Sequence, residues 1–87
     1  MSKPYTQTTN NNKITRIFEN TLQAELVWHR DRTNRIVKIV EGQGWKFQMD
    51  NDIPKKLCPG DILYIPKNTY HRLIKGNDKL VCEIREL

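Results

Sequence analysis

Two histidines, His29 and His71, are the only imidazoles in the chain, and each stands beside residues that could turn it to chemistry. His29 is followed at a spacing of two by Asp31, and in an extended strand that spacing projects an imidazole and a carboxylate to the same face. Such a pair can ligate a cation, or it can work as a base held in place by an acid. His71 closes the stretch Gly60-Asp61-Ile62-Leu63-Tyr64-Ile65-Pro66-Lys67-Asn68-Thr69-Tyr70-His71. That run reads as a turn, a short buried strand, a second turn and a histidine at the entry to the next strand. Arg35 adds a guanidinium, whose planar fork of donors suits a carboxylate or phosphate.

The elements that must position these side chains are all β. From Lys13 onward, short alternating or apolar runs are separated by turn residues, and nowhere is a 3.6-residue apolar period sustained. The expected strands are Ile14 to Glu19, Gln23 to His29, Arg35 to Glu41, Trp45 to Met49, Lys55 to Leu57, Ile62 to Ile65, Tyr70 to Ile74 and Leu80 to Glu86. Glu41-Gly42-Gln43-Gly44, Asp50-Asn51-Asp52, Pro59-Gly60 and Lys75-Gly76-Asn77-Asp78 supply the turns. Strands of this number and length predict a sandwich or jelly roll. Parity sends Trp45, Phe47 and Met49 into the core, together with Leu80, Cys82 and Ile84. It also gathers Leu26, Trp28, Ile36 and Val40 on an outer face, where they would form a dimer surface or lie under the N-terminal strand.

Met1 to Asn12 is polar and includes the run Asn10-Asn11-Asn12. The expectation is a disordered tail, or an edge strand lent to a neighbour, over 1–12, with one domain over 13–87. A domain of this size is close to the smallest that folds unaided, so a homodimer is expected. The two cysteines, Cys58 and Cys82, lie far apart in no knuckle or redox motif. That usage, with no bilayer-length apolar run and no hydrophobic leader, suits a cytoplasmic protein and gives no sign of a membrane partner. The formal net charge is +5, but the basic residues alternate with acids along the chain. Dispersed charge of that kind makes nucleic acid a minor alternative to a small-molecule ligand.

The spacing from Gly60 through Pro66 and Asn68 to His71 resembles the second sequence motif of the cupin superfamily, small jelly-roll barrels that hold a metal or small ligand in the barrel mouth. The first motif of that family runs His, one residue, His, three residues, Glu, six residues, Gly. This chain keeps the frame as His29, Asp31, Arg35 and Gly42. The runs from Glu25 to Arg32 and from Gly44 to Asn51 are also similar to short single-domain cupins of cyanobacteria and marine phages. The resemblance implies an all-β fold, a small cupin double-stranded β-helix or jelly-roll barrel. It further implies that His29 and His71 are metal ligands, with Asp31 in the place of the second histidine and Arg35 in the place of the ligating glutamate.

Two imidazoles and one carboxylate on one face are the ligand set that holds non-haem Fe(II) with open coordination positions. The implied cofactor is a divalent metal, Fe, Mn, Ni or Zn, held by His29, Asp31 and His71, with no organic cofactor indicated. An enzyme of this kind would be a metal-dependent oxygenase or isomerase. Arg35 opens two other readings. It can pair with Asp31 and oppose a dication, or it can line a metal-free pocket with His29 and His71 and read an anionic sugar or metabolite. In the metal-free reading Tyr64 or Tyr70 would serve as an acid, although parity places Tyr70 on the face opposite His71.

Overall fold

The computed structural model describes residues 3–87. Eight strands form two antiparallel sheets: β1 (Thr6–Asn10), β2 (Lys13–Phe18), β3 (Arg35–Glu41), β4 (Lys46–Met49), β5 (Lys55–Lys56), β6 (Ile62–Ile65), β7 (His71–Ile74) and β8 (Leu80–Glu86). One sheet has the order β1-β2-β8-β3-β6 and the other β5-β4-β7. The two inner faces close on each other as a jelly roll. Strand alternation decides what lies between them: Val37 and Ile39 from β3, Phe47 from β4, Ile65 from β6, and Leu80, Cys82 and Ile84 from β8, with Phe18 and Trp45 closing one end. No helix among the described residues is long and apolar enough to cross a membrane.

Turn chemistry sets where the strands stop. Asn11, Asn51 and Asn68 hold positive φ of 57°, 59° and 62°, the left-handed conformation that asparagine tolerates better than other side-chain-bearing residues. Gly76 is demanding in another way, since a Cβ there would run into the Gln43 carbonyl oxygen and the backbone and ring of Trp45. Trp45 is itself almost fully buried and its indole N–H donates to the Asp78 carbonyl at 2.7 Å. Gly76→Ala is therefore expected to lower stability by about 3 kcal/mol, read as a shifted urea midpoint with unchanged slope; a shift under a third of that would mean the turn yields.

Two expectations change. Asn10-Asn11-Asn12 is the turn of a hairpin, and Thr6–Asn10 pairs with β2 of its own chain over the full register from Thr6↔Ile17 to Asn10↔Lys13. The segment buries little, so the ladder of backbone bonds and the β-prone threonines hold it, a contribution that a burial criterion overlooks. Of the expected 1–12 tail, Met1 and Ser2 lie outside the described residues.

The predicted strand Gln23 to His29 is replaced by a 3-10 turn, Gln23–Glu25, and an irregular run. Glu25 folds back to accept the Leu22 N–H at 2.9 Å, and the turn rotates Leu26 into the core. The proposed outer patch is divided as a result. Leu26 is inside, Trp28 stands beside β7 with the Arg72 guanidinium 4.8 Å from its ring, and Ile36 and Val40 belong to the outer face of the other sheet.

Candidate metal centre

His29 has no strand of its own, yet a single bridge fixes it. Its N–H donates to the His71 carbonyl at 3.0 Å, and the His71 N–H donates to the His29 carbonyl at 2.9 Å. The reciprocal pair puts both imidazoles on one side, with ring centroids 4.4 Å apart in an edge-to-face arrangement. Each ring is then oriented by the same local device: Nδ1 of His29 lies 3.0 Å from the Val27 carbonyl oxygen, and Nδ1 of His71 lies 2.9 Å from that of Thr69. A carbonyl oxygen can only accept, so each Nδ1 carries the proton and each Nε2 presents a lone pair.

Asp31 reaches the same point from the loop that leads into β3. Its carbonyl accepts the Asn68 N–H at 2.7 Å, which ties the loop to the turn just ahead of His71. The carboxylate oxygen Oδ2 lies 3.3 Å from His71 Nε2. That contact lacks hydrogen-bond geometry, and Asp31 Oδ2 is buried with no donor among the described residues. One ligand atom from each of His29, Asp31 and His71 falls within 4.8 Å of the others.

Burial lowers the pKa of His71 below its ordinary value of 6.5; His29 adds to this, while the Thr69 carbonyl and Asp31 act the other way. The ring is thus neutral near pH 7, and a lone pair of His71 faces a lone pair of Asp31 with no proton between them. Two acceptors at that separation repel unless a cation lies between or beside them. The lowered pKa also fixes the pH response of folding. Below about 6.5 the unfolded chain protonates His71 while the folded state resists, so apo stability is full above that pH and declines as the pH falls towards the lowered value. Thermal unfolding between pH 7.5 and 5 should show the decline in the wild type and a smaller one in His71→Gln. Equal slopes would assign the loss to other groups.

Arg35, opposite Glu86 on β8, is not free to swing into the site. One terminal nitrogen lies 3.5 Å from Asp31 Oδ1 and the other 3.1 Å from Glu86 Oε2. Glu86 also accepts the Thr33 hydroxyl at 3.0 Å; that bond, with help from Arg35, lowers its carboxyl pKa. Asp31 therefore divides its oxygens, Oδ1 to Arg35 and Oδ2 to His71. Glu86 was absent from the expected site, although parity along Leu80, Cys82, Ile84 and Glu86 does carry it to the inner face. Tyr64 and Tyr70 are both exposed and lie off the cavity wall, with Tyr70 covered by Arg30. Neither can be the acid of a metal-free reaction there.

Beside the three ligand atoms opens a cavity of about 320 Å³ between the sheets. Most of its wall is apolar, and its charged groups are Asp31, Arg35, Arg16 and Glu25. Cys82 is on this wall too, but burial pushes its thiol up to about 11, so it is a packing residue rather than a nucleophile.

The fold is a cupin-type jelly roll: two antiparallel sheets closed on each other, with His29 and His71 converging at one end. No family profile and no curated protein matches the sequence. Among solved structures, the chain is similar to a cupin-2 domain protein from Shewanella frigidimarina at 15% identity and a TM-score of 0.68, over 100% of this chain and 85% of that one. It is similar to DMSP lyases in the structures of RdDddP and RnDddQII at 19% identity and a TM-score of 0.74, covering 85% of this chain and 36% of that one. It is also similar to FeII HppE at 10% identity and a TM-score of 0.72, covering 95% of this chain and 48% of that one. The chain thus spans less than half the length of either of these last two proteins, and what it shares with them is the fold.

Proposed function

We propose that this chain is a small metal-binding cupin that holds one divalent cation on His29 Nε2, Asp31 Oδ2 and His71 Nε2 and receives a small anionic metabolite in the adjoining cavity. The observation that carries the reading is the buried Asp31 Oδ2, which has no hydrogen-bond donor among the described residues and lies 3.3 Å from His71 Nε2, in a group of three possible ligand atoms completed by His29. Two histidines and one carboxylate suit Fe(II), with Mn(II), Ni(II) and Zn(II) as competitors, and leave coordination positions open. The Fe(II) of the structurally similar HppE supports that preference. A bound dication would supply Lewis acidity and a charge towards which an anionic ligand is drawn. The chain's own residues do the rest: the Val27 and Thr69 carbonyls orient the rings, Arg35 holds Asp31, and the apolar wall excludes water. A metal-free pocket read by Arg35 is the weaker account, because Arg35 already has two carboxylate partners.

The test is metal uptake. Tag-free protein stripped with a chelator and titrated anaerobically with Fe(II), and separately with Mn(II), Ni(II) and Zn(II), is expected to take up about one equivalent of at least one ion. Failure to take up any of the four would refute the reading.

A further inference from the structure

A second arginine faces the same cavity, and its surroundings differ from those of Arg35. Parity on β2 sets Arg16 between Ile14 and Phe18 on the inner face, in register with the buried Cys82 of β8. A charged residue on the inward row of a barrel strand is costly unless it is paired. Arg35 meets that demand with Asp31 and Glu86. Arg16 has no carboxylate partner among the described residues: Nε and one terminal nitrogen both donate to the neutral Gln7 side-chain oxygen, at 3.0 and 2.8 Å. The other carboxylate on the cavity wall, Glu25, is engaged as the cap of Leu22 N–H. One face of the guanidinium lies 3.9 Å over the Tyr5 ring, which packs edge-on against Phe18 at 5.3 Å. The neighbouring Pro4 carbonyl is in turn tied to the Thr21 hydroxyl at 2.6 Å. The fork is therefore held in one plane, partly desolvated, with one terminal nitrogen that has no hydrogen-bond partner among the described residues. Burial is the main cause lowering the Arg16 pKa; the nearby Arg35 adds to this, while Tyr5, Cys82 and Asp31 act the other way.

We infer that Arg16, and not Arg35, is the anion-reading residue of the cavity, and that the ligand is a small organic acid, carboxylate or phosphate, with an apolar body lying along the wall formed by Val37, Ile39, Leu63 and Leu73. This rests on the proposed ligand site for its place, but it needs no metal for its contact. The Tyr5 and Gln7 side chains preorganise the fork, so Tyr5 and β1 belong to the binding site.

The experiment is calorimetric titration of n-butyrate, n-butyl phosphate and the neutral n-butyramide into stripped and Mn(II)-loaded protein, as wild type, Arg16→Gln and Arg16→Lys. In the wild type at least one acid should bind at least roughly tenfold tighter than the amide, as expected for a charge-assisted contact. Whichever acid binds better distinguishes carboxylate from phosphate. Arg16→Gln should lose the preference while taking up Mn(II) as the wild type does, and Arg16→Lys should keep part of it. A wild type without acid preference, or Arg16→Gln retaining it, overturns the inference whether or not Mn(II) binds. Acid preference through Arg16 in a protein that takes up no metal would uphold it and remove the metal alone.

Discussion

Asp31→Asn is expected to bind Mn(II) or Fe(II) at least roughly 100-fold more weakly than the wild type, since even orienting groups around a metal are worth up to that factor. The substitution keeps the shape of the side chain and removes its charge. It also supplies a donor: the amide N–H could point at His71 Nε2, 3.3 Å from the present Oδ2, and occupy the lone pair a metal needs. Removing the repulsion between two acceptors should leave the metal-free fold intact or firmer, with Arg35 keeping Glu86 as a partner. Lost metal affinity with unimpaired apo stability is what separates a ligand from a structural acid. Calorimetry or Mn(II) paramagnetic resonance would read the first and urea unfolding the second. Affinity within about threefold of the wild type would remove Asp31 from the ligand set, and a collapse of apo stability would make it a structural partner of Arg35.

Arg35→Glu should move metal affinity the other way, upward by about tenfold. A unit charge ~6 Å from a unit charge at an effective dielectric of about 20 is worth roughly 3 kcal/mol, and a dication doubles it. Glu86 at 3.1 Å already offsets much of the arginine's field, so the expected gain is well below that ceiling. The cost falls on the empty protein. The introduced carboxylate would face Asp31 and Glu86 with no cation among them, and apo stability should drop by about 2 kcal/mol. Metal should then stabilise the variant more than the wild type, because whatever binds only the folded state adds to its stability. Unfolding midpoints with and without Mn(II) would show it. Unchanged or reduced affinity would mean that Arg35 acts only by holding Asp31.

These two variants probe the part of the site least legible in the sequence. The frame from His29 to Gly42 and the stretch from Gly60 to His71 are legible through their resemblance to the cupin motifs, and β3, β6 and β8 fall where alternation puts them. The division of the Asp31 oxygens could not be read that way. Arg35 and Glu86 are 51 residues apart, and nothing near either one names the other. The run from Gln23 to His29 departs from its strand-like pattern for a related reason: its apolar residues alternate as in a strand, but Glu25 caps a turn and Leu26 enters a core built by distant strands.

By itself the sequence determined an all-β chain of short strands, a sandwich or jelly roll, because turn conformations and face parity are properties of adjacent residues and survive without a partner; its resemblance to the cupin motifs added His29, Asp31 and His71 as candidate ligands. Tertiary structure alone decided what those residues meet. The His29–His71 bridge, the Arg35–Glu86 pair and the unneutralised Arg16 on the inner face all depend on which strands lie side by side and in what register. That register is set by the packing of both sheets around one core, and no local stretch of this chain contains it.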